Sequence, residues 1–234
     1  MRRLLLTLLM LAAPGVAAAG SLQVTPVTID LNGGKKAATL TLTNVDGEPV
    51  NVQARVFRWT REGGQERLEP TSDMVASPPA MRLAPGAVQT IRVVRVSNTP
   101  ARAEESYRIL IDELPDPERS RAGQVAMVLR QSIPIFFANR GGTPKVSWRV
   151  EPRTGGHDLV ARNNGARRLR IADLQLKSQT GGVVHHVPGL AGYVLAGGEM
   201  RWSLSLPNGA AGAGLTVSAA SDLGAVNVAL APPS

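Results

Sequence analysis

Apolar and polar residues alternate with a period of two along most of the chain. Leu40 and Leu42 alternate with Thr39, Thr41 and Thr43, and Val50, Val52, Ala54 and Val56 with Asn51, Gln53 and Arg55. Tyr107, Ile109 and Ile111 alternate with Arg108, Leu110 and Asp112, and Val146, Trp148 and Val150 with Ser147 and Arg149. Met200, Trp202, Leu204 and Leu206 repeat the pattern, as do Val226, Val228 and Leu230. These are half-buried strands. No stretch of helical length carries a comparable 3.6-residue stripe. Asn32-Gly33-Gly34, Asp46-Gly47, Gly63-Gly64, Pro85-Gly86, Gly155-Gly156, Gly181-Gly182 and Gly197-Gly198 mark turns between them. Such spacing predicts an all-β chain of sandwich type rather than alternating strands and helices.

The segment Asn139-Arg140-Gly141-Gly142-Thr143-Pro144 reads as a linker. It divides the chain into two units of sandwich size, residues 20–138 and 145–234. A short echo relates the halves: Leu83-Ala84-Pro85-Gly86 precedes one strand and Leu195-Ala196-Gly197-Gly198 another. The first 19 residues have the form of a cleavable signal peptide. Arg2-Arg3 is basic, Leu4 to Ala13 is apolar, and Ala17-Ala18-Ala19 supplies small residues for cleavage. The apolar run is about half of the roughly 20 residues a spanning helix needs. The expected compartment is therefore the periplasm, without stable membrane insertion.

Composition narrows the chemistry. The chain has 234 residues and no cysteine, which excludes disulfides, thiolate metal sites and cysteine nucleophiles. Its 3 histidines leave little for a metal cage, and no cofactor is expected. The net charge of +8 suits an anionic partner, but the cations are scattered and aromatic residues make up only 3%. Nucleic acid is therefore not the expected partner. Adjacent His185 and His186 point to opposite faces of any strand. Asp112-Glu113 reads as a pair of loop charges, and no serine sits in a G-x-S-x-G context. No catalytic constellation emerges, and Trp59, Trp148 and Trp202 read as core or hinge packing.

Gln124 to Phe137 is the most informative segment. Val125, Met127, Leu129, Ile133, Ile135 and Phe137 share one parity, broken only by Gln131. Ordinary strands run to about six residues. Two readings fit: a long core strand that switches sheets, or a strand whose first half offers apolar side chains to a partner by β-augmentation.

The order of motifs resembles the PapD-like chaperones of chaperone–usher pili. The matching pieces are Ser77-Pro78-Pro79, Arg82-Leu83-Ala84-Pro85-Gly86, Ile91-Arg92-Val93, Glu105-Ser106-Tyr107-Arg108, Asp112-Glu113-Leu114-Pro115 and Ser132-Ile133-Pro134-Ile135-Phe136. Val24-Thr25-Pro26-Val27 and Arg55-Val56-Phe57-Arg58-Trp59 resemble the archaic, spore-coat-U-type branch. The resemblance implies two immunoglobulin-like β-sandwich domains in a boomerang. It implies a non-enzymatic periplasmic chaperone that completes pilus or fimbrial subunits with its own strand and passes them to an outer-membrane usher. Val125, Met127 and Leu129 are the donor residues it implies. Each such side chain is worth roughly 1.5–3 kcal/mol when buried.

The resemblance also implies cations that grip the subunit's terminal carboxylate, and here the chain departs from the pattern. Pro26 and Thr28 stand on the first strand where a cation is expected, and Pro134 stands where a lysine is expected. Arg130 is the nearest substitute, and Arg92 matches a basic position; a solvated charge is the other reading of Arg130, and a structural ion pair that of Arg92. The rival functions are a pilus subunit or adhesin, against which two domains and the lack of cysteine count, and a secreted enzyme.

Overall fold

The computed structural model describes residues 22–115, 128–138, 141–206 and 214–231. Every element among them is a strand. The first ten are β1 (Leu22–Thr25), β2 (Ile29–Asn32), β3 (Ala37–Asn44), β4 (Val50–Glu62), β5 (Gln65–Pro70), β6 (Met74–Ser77), β7 (Ala80–Leu83), β8 (Val88–Arg95), β9 (Glu105–Leu114) and β10 (Arg130–Ala138). The others are β11 (Val146–Arg153), β12 (Gly156–Asn163), β13 (Leu169–Lys177), β14 (Val183–Val194), β15 (Glu199–Leu204), β16 (Thr216–Ser221) and β17 (Gly224–Ala229). The expected signal peptide, Val125 and Met127 lie outside the described residues.

The first ten strands make two sheets, ordered β1-β3-β8-β6 and β2-β10-β9-β4-β5, with β7 also paired to β4. The chain passes between them at Pro26-Val27-Thr28, so β1 lies antiparallel to β3 while β2 runs parallel to β10. Leu40, Leu42, Ile91 and Val93 of one sheet meet Tyr107, Ile109, Ile111, Ile133, Ile135 and Phe137 of the other. These are the residues whose alternation marks the strands, now facing one another across a core. The last seven strands make a second sandwich, β11-β12-β15 against β14-β13-β16-β17. Leu159, Trp202 and Leu204 fill it with Ile171, Leu174, Leu176 and Val217, and Trp148 stacks on Trp202 at 5.7 Å. The architecture is thus all-β, with two sandwiches.

One device recurs in both. Asn44 ends β3, is fully buried, and donates through Nδ2 to the carbonyls of Glu48, Leu83 and Ala84 at 2.8–3.2 Å. Asn163 ends β12, is equally buried, and donates to the carbonyls of Arg167 and Val194 at 2.7 and 3.0 Å. Each Oδ1 accepts a backbone N–H two residues on, from Asp46 and Gly165. The short sequence echo at Leu83 and Leu195 is one side of this shared corner. An amide side chain is used because it donates and accepts at once.

Two expectations change here. Asp112 and Glu113 belong to β9 rather than to a loop, and Asp112 is buried. The long alternating segment is described as a strand only from Arg130, with one further contact from the Glu113 N–H to the Leu129 carbonyl at 3.0 Å.

Asn44→Ala and Asn163→Ala strand buried carbonyls at roughly 1–3 kcal/mol each. Each variant is expected to lower the midpoint of urea unfolding well beyond a surface control such as Thr90→Ala.

Candidate functional site

The outward face of the β2-β10-β9-β4 sheet carries the site. Ile29 of β2 pairs with Ile135 of β10, which places Thr28 beside Pro134. Pro134 lies directly across from Arg108 of β9, and Arg108 across from Phe57 of β4. Thr28 and Pro134 hold the two places where the resemblance looks for cations, and the next residue in the same row is Arg108. Arg108 therefore lies one strand, roughly 4.8 Å, from Pro134.

Arg108 lies at the edge of a cleft of about 430 Å³ between the sandwiches. Arg61 of β4 and Arg170 of β13 line it as well, beside Thr28, Ser132 and Pro134. The Arg108 guanidinium lies 3.9 Å from the centre of the Trp59 ring and its Nε 3.1 Å from a Glu66 carboxylate oxygen. Arg61 donates to the Gly64 carbonyl at 3.1 Å. The Nε of Arg61 is buried without a hydrogen-bond partner. Burial, with the Arg108 charge acting in the same sense, pulls the Arg61 guanidinium down from its usual range despite Glu66. Arg61 nevertheless remains charged at neutral pH, because a guanidinium titrates far above it. Three cations against one carboxylate make this cleft attractive to an anion.

The two sandwiches meet behind the cleft. Trp59 of β4, Phe136 of β10, Tyr193 of β14 and the following Leu195 form a buried cluster, with ring centres 5.3–5.9 Å apart. The Arg168 guanidinium lies 3.6 Å over the Phe136 ring. It donates to Glu104 at 2.6 Å and to Asp30 at 2.5 Å, and its backbone N–H donates to Glu104 at 3.0 Å. Burial pushes the Glu104 carboxyl up, and the Arg168 charge opposes it without cancelling it. At the far side the β4–β5 turn touches the second sandwich: a Cβ on Gly64 would lie 2.7 Å from the Arg201 side chain. Gly64 also has φ +79, where only glycine is free of strain.

Of the residues singled out in the sequence, Leu129 is described and is 37% exposed, beside exposed Val128. Arg130 starts β10 opposite Asp112 and bonds to its carboxylate, which Arg55 binds at 2.7 Å from the other side. Arg92 is exposed on β8, in the opposite sheet. Arg108, Arg61 and Arg170 carry no mark in the sequence that sets them apart from other strand arginines. Their shared place follows from the register between strands.

Burial raises the Asp112 carboxyl, but the hydrogen bonds and charges of Arg130 and Arg55 outweigh it and hold it below the usual carboxylate range. Glu105 is held down in the same way by Arg95 and the Tyr107 hydroxyl, and Glu199 by Arg149 and Arg201. A depressed folded-state pKa contributes stability above the unfolded value, and that stability is lost as pH falls through the folded value. Urea midpoints are expected to drop below about pH 4. Asp112→Asn is expected to be less stable at pH 7 and to lose less on acidification.

A family described as pili and flagellar-assembly chaperone, PapD N-terminal domain, matches residues 21–141, more than half of the chain. The chaperone protein PapD of Escherichia coli is 30% identical over 127 residues, which cover 53% of this chain and 50% of PapD, so the match spans about half the length of that relative. The uncharacterized fimbrial chaperone YhcA of Escherichia coli strain K12 is 22% identical over 78% of each chain. A chain from the CsuC–CsuE chaperone–tip subunit pre-assembly complex of the archaic chaperone–usher Csu pili of Acinetobacter baumannii superposes with a TM-score of 0.69 at 22% identity, covering 90% of this chain and 98% of that one. The family is one of chaperones rather than enzymes. With its two β-sandwiches and its cationic cleft, this chain belongs to the PapD family of pilus-assembly chaperones.

Proposed function

We propose that this protein is a periplasmic, non-catalytic chaperone that holds pilus or fimbrial subunits by donating its β10 strand segment and delivers them to an outer-membrane usher. One observation carries the reading. β9 covers one edge of β10 from Arg130 to Phe137, whereas β2 covers the other edge only from Ile135 onward. Among the described residues, Arg130 to Pro134 therefore has an open edge. That edge begins beside exposed Leu129 and ends at the cationic cleft. A subunit strand can pair along it while its C-terminal carboxylate reaches the arginines, which is β-augmentation with a charged stop. Val125, Met127 and Leu129 continue the apolar row and supply the side chains that fill the subunit groove.

For the carboxylate grip we assign Arg108 first, with Arg61 and Arg170 beside it. Arg108 lies in the row of Thr28 and Pro134. Arg130 is committed to Asp112 at the other end of the open edge, and Arg92 lies in the other sheet. A subunit or adhesin reading is not favoured. The solved relatives of this fold include a chaperone bound to a pilin, the SafA–SafB complex of Salmonella enterica.

Co-expression with a subunit encoded beside this chain tests both halves. Met127→Asp is expected to abolish co-purification with the chaperone still folded. Arg108→Gln is expected to weaken capture roughly ten- to a hundred-fold, the worth of a charge-assisted hydrogen bond. A subunit amidated at its C-terminus is expected to lose the same amount against wild type and little more against Arg108→Gln. Full capture by Met127→Asp would falsify strand donation, and equal binding of the amidated subunit to wild type rejects the carboxylate grip.

A further inference from the structure

The cleft is larger than a carboxylate requires, and its two walls differ. The first-sandwich wall carries Arg61 and Arg108. The second-sandwich wall, apart from Arg170, is apolar: Leu190, Ala191, Tyr193 and Met200. Leu190 is 54% exposed, and Val27 on the opposite lip is 74% exposed. These two exposed apolar side chains, one from each sandwich, border the same opening.

Leu190 owes its place to an irregularity in the sheet. The pairing of β13 with β14 slips on either side of Ala172, between Ile171 and Ala172 and between Ala172 and Leu174. Asp173 sits at the slip with φ 49, and its carboxylate accepts the Gly189 N–H at 2.8 Å. A bulge of this kind bends a strand and re-aims its side chains. Gly192 keeps the wall open behind it. A Cβ there would fall 2.2 Å from the Met200 methyl carbon, so any larger residue would drive Met200 out of its place in the cleft wall.

We infer that this apolar wall reads the side chain of the last residue of the chain whose carboxylate the arginines hold, and selects an apolar one of leucine or phenylalanine size. The inference rests on the carboxylate grip proposed above and adds a specificity to it. The ligand chemistry is a carboxylate joined to an apolar group, and the occupant is the C-terminal residue of a protein chain. Three cations satisfy its charge, the open edge of β10 pairs with the backbone that precedes it, and Val27, Leu190 and Met200 cover its side chain. A glycine terminus leaves that wall wet, and an aspartate terminus sets a second charge against it.

The test uses the full exported chain and N-acetylated heptapeptides of alternating valine and threonine, ending in leucine, glycine or aspartate, each as free acid and as amide. Binding is read from intrinsic tryptophan fluorescence, since Trp59 lies beside Arg108. The leucine acid is expected to bind roughly ten- to fifty-fold tighter than the glycine acid, the worth of burying most of one leucine. The aspartate acid is expected to be the weakest. Leu190→Ser, and independently Val27→Ser, are expected to collapse the leucine-over-glycine ratio toward one; both positions are exposed, so two folded variants carry the test. If acids beat amides but leucine and glycine acids bind alike, the grip stands and the side-chain reading is overturned. If acids and amides bind alike, the grip itself fails and takes this inference with it. Dodecanoate binding tighter than the leucine acid would assign the cleft to a fatty acid and overturn the protein terminus as its occupant.

Discussion

The mutual position of the two sandwiches hangs on Arg168. Its guanidinium is 5% exposed and meets a Glu104 carboxylate that is wholly buried, while its flat face covers Phe136. Removing one member of a buried ion pair leaves an unpaired charge and costs roughly 3–5 kcal/mol, more than replacing the pair outright. Geometry is therefore what this interaction supplies. Arg168 comes from the segment before β13, Glu104 from the segment before β9, and Asp30 from β2, so one cation ties three separate stretches of chain. The cleft exists only while those stretches keep their places, because its arginines come from β4, β9 and β13.

Phe136 shows how closely structure and site share parts. On β10 its inward neighbours Ile135 and Phe137 fill the first core, while Phe136 itself faces out and is covered by Trp59, Tyr193 and Arg168. The same strand, a few residues earlier, has an open edge and an exposed Leu129. One continuous strand is thus core at its end, joint in its outward face and open at its start. A rigid end gives the open start a fixed direction, which reduces the ordering cost of pairing with a partner.

Much of the fold was legible in single-strand periodicity. Leu40, Leu42, Tyr107, Ile109 and Ile111 alternate because one face of each sheet is buried, and that signal is local. The site was legible only in outline. The departure at Thr28 and Pro134 was visible, but the place of Arg108 beside them was not, since cross-strand register brings together residues far apart in sequence. Asp112 looked like a loop charge because both of its arginines come from other strands. Arg168 counted only as one of the scattered cations, because its counterion lies 64 residues away. The burial of Asn44 and Asn163 is explained only by the carbonyls around them.

Pro134 has a consequence for what the open edge can do. The Glu113 N–H to Leu129 carbonyl contact puts the odd-numbered residues of β10 in hydrogen bonds with β9, so the even-numbered ones point their backbone groups toward the uncovered side. Proline has no N–H, and at this position the loss is felt on the uncovered side alone. Between Arg130 and Pro134 the strand then presents only the Arg130 and Ser132 donors before β2 takes over. Pro134 thus closes the row of outward donors where β2 begins, so a strand pairing along this edge would run out of backbone donors at the point where the cleft arginines start.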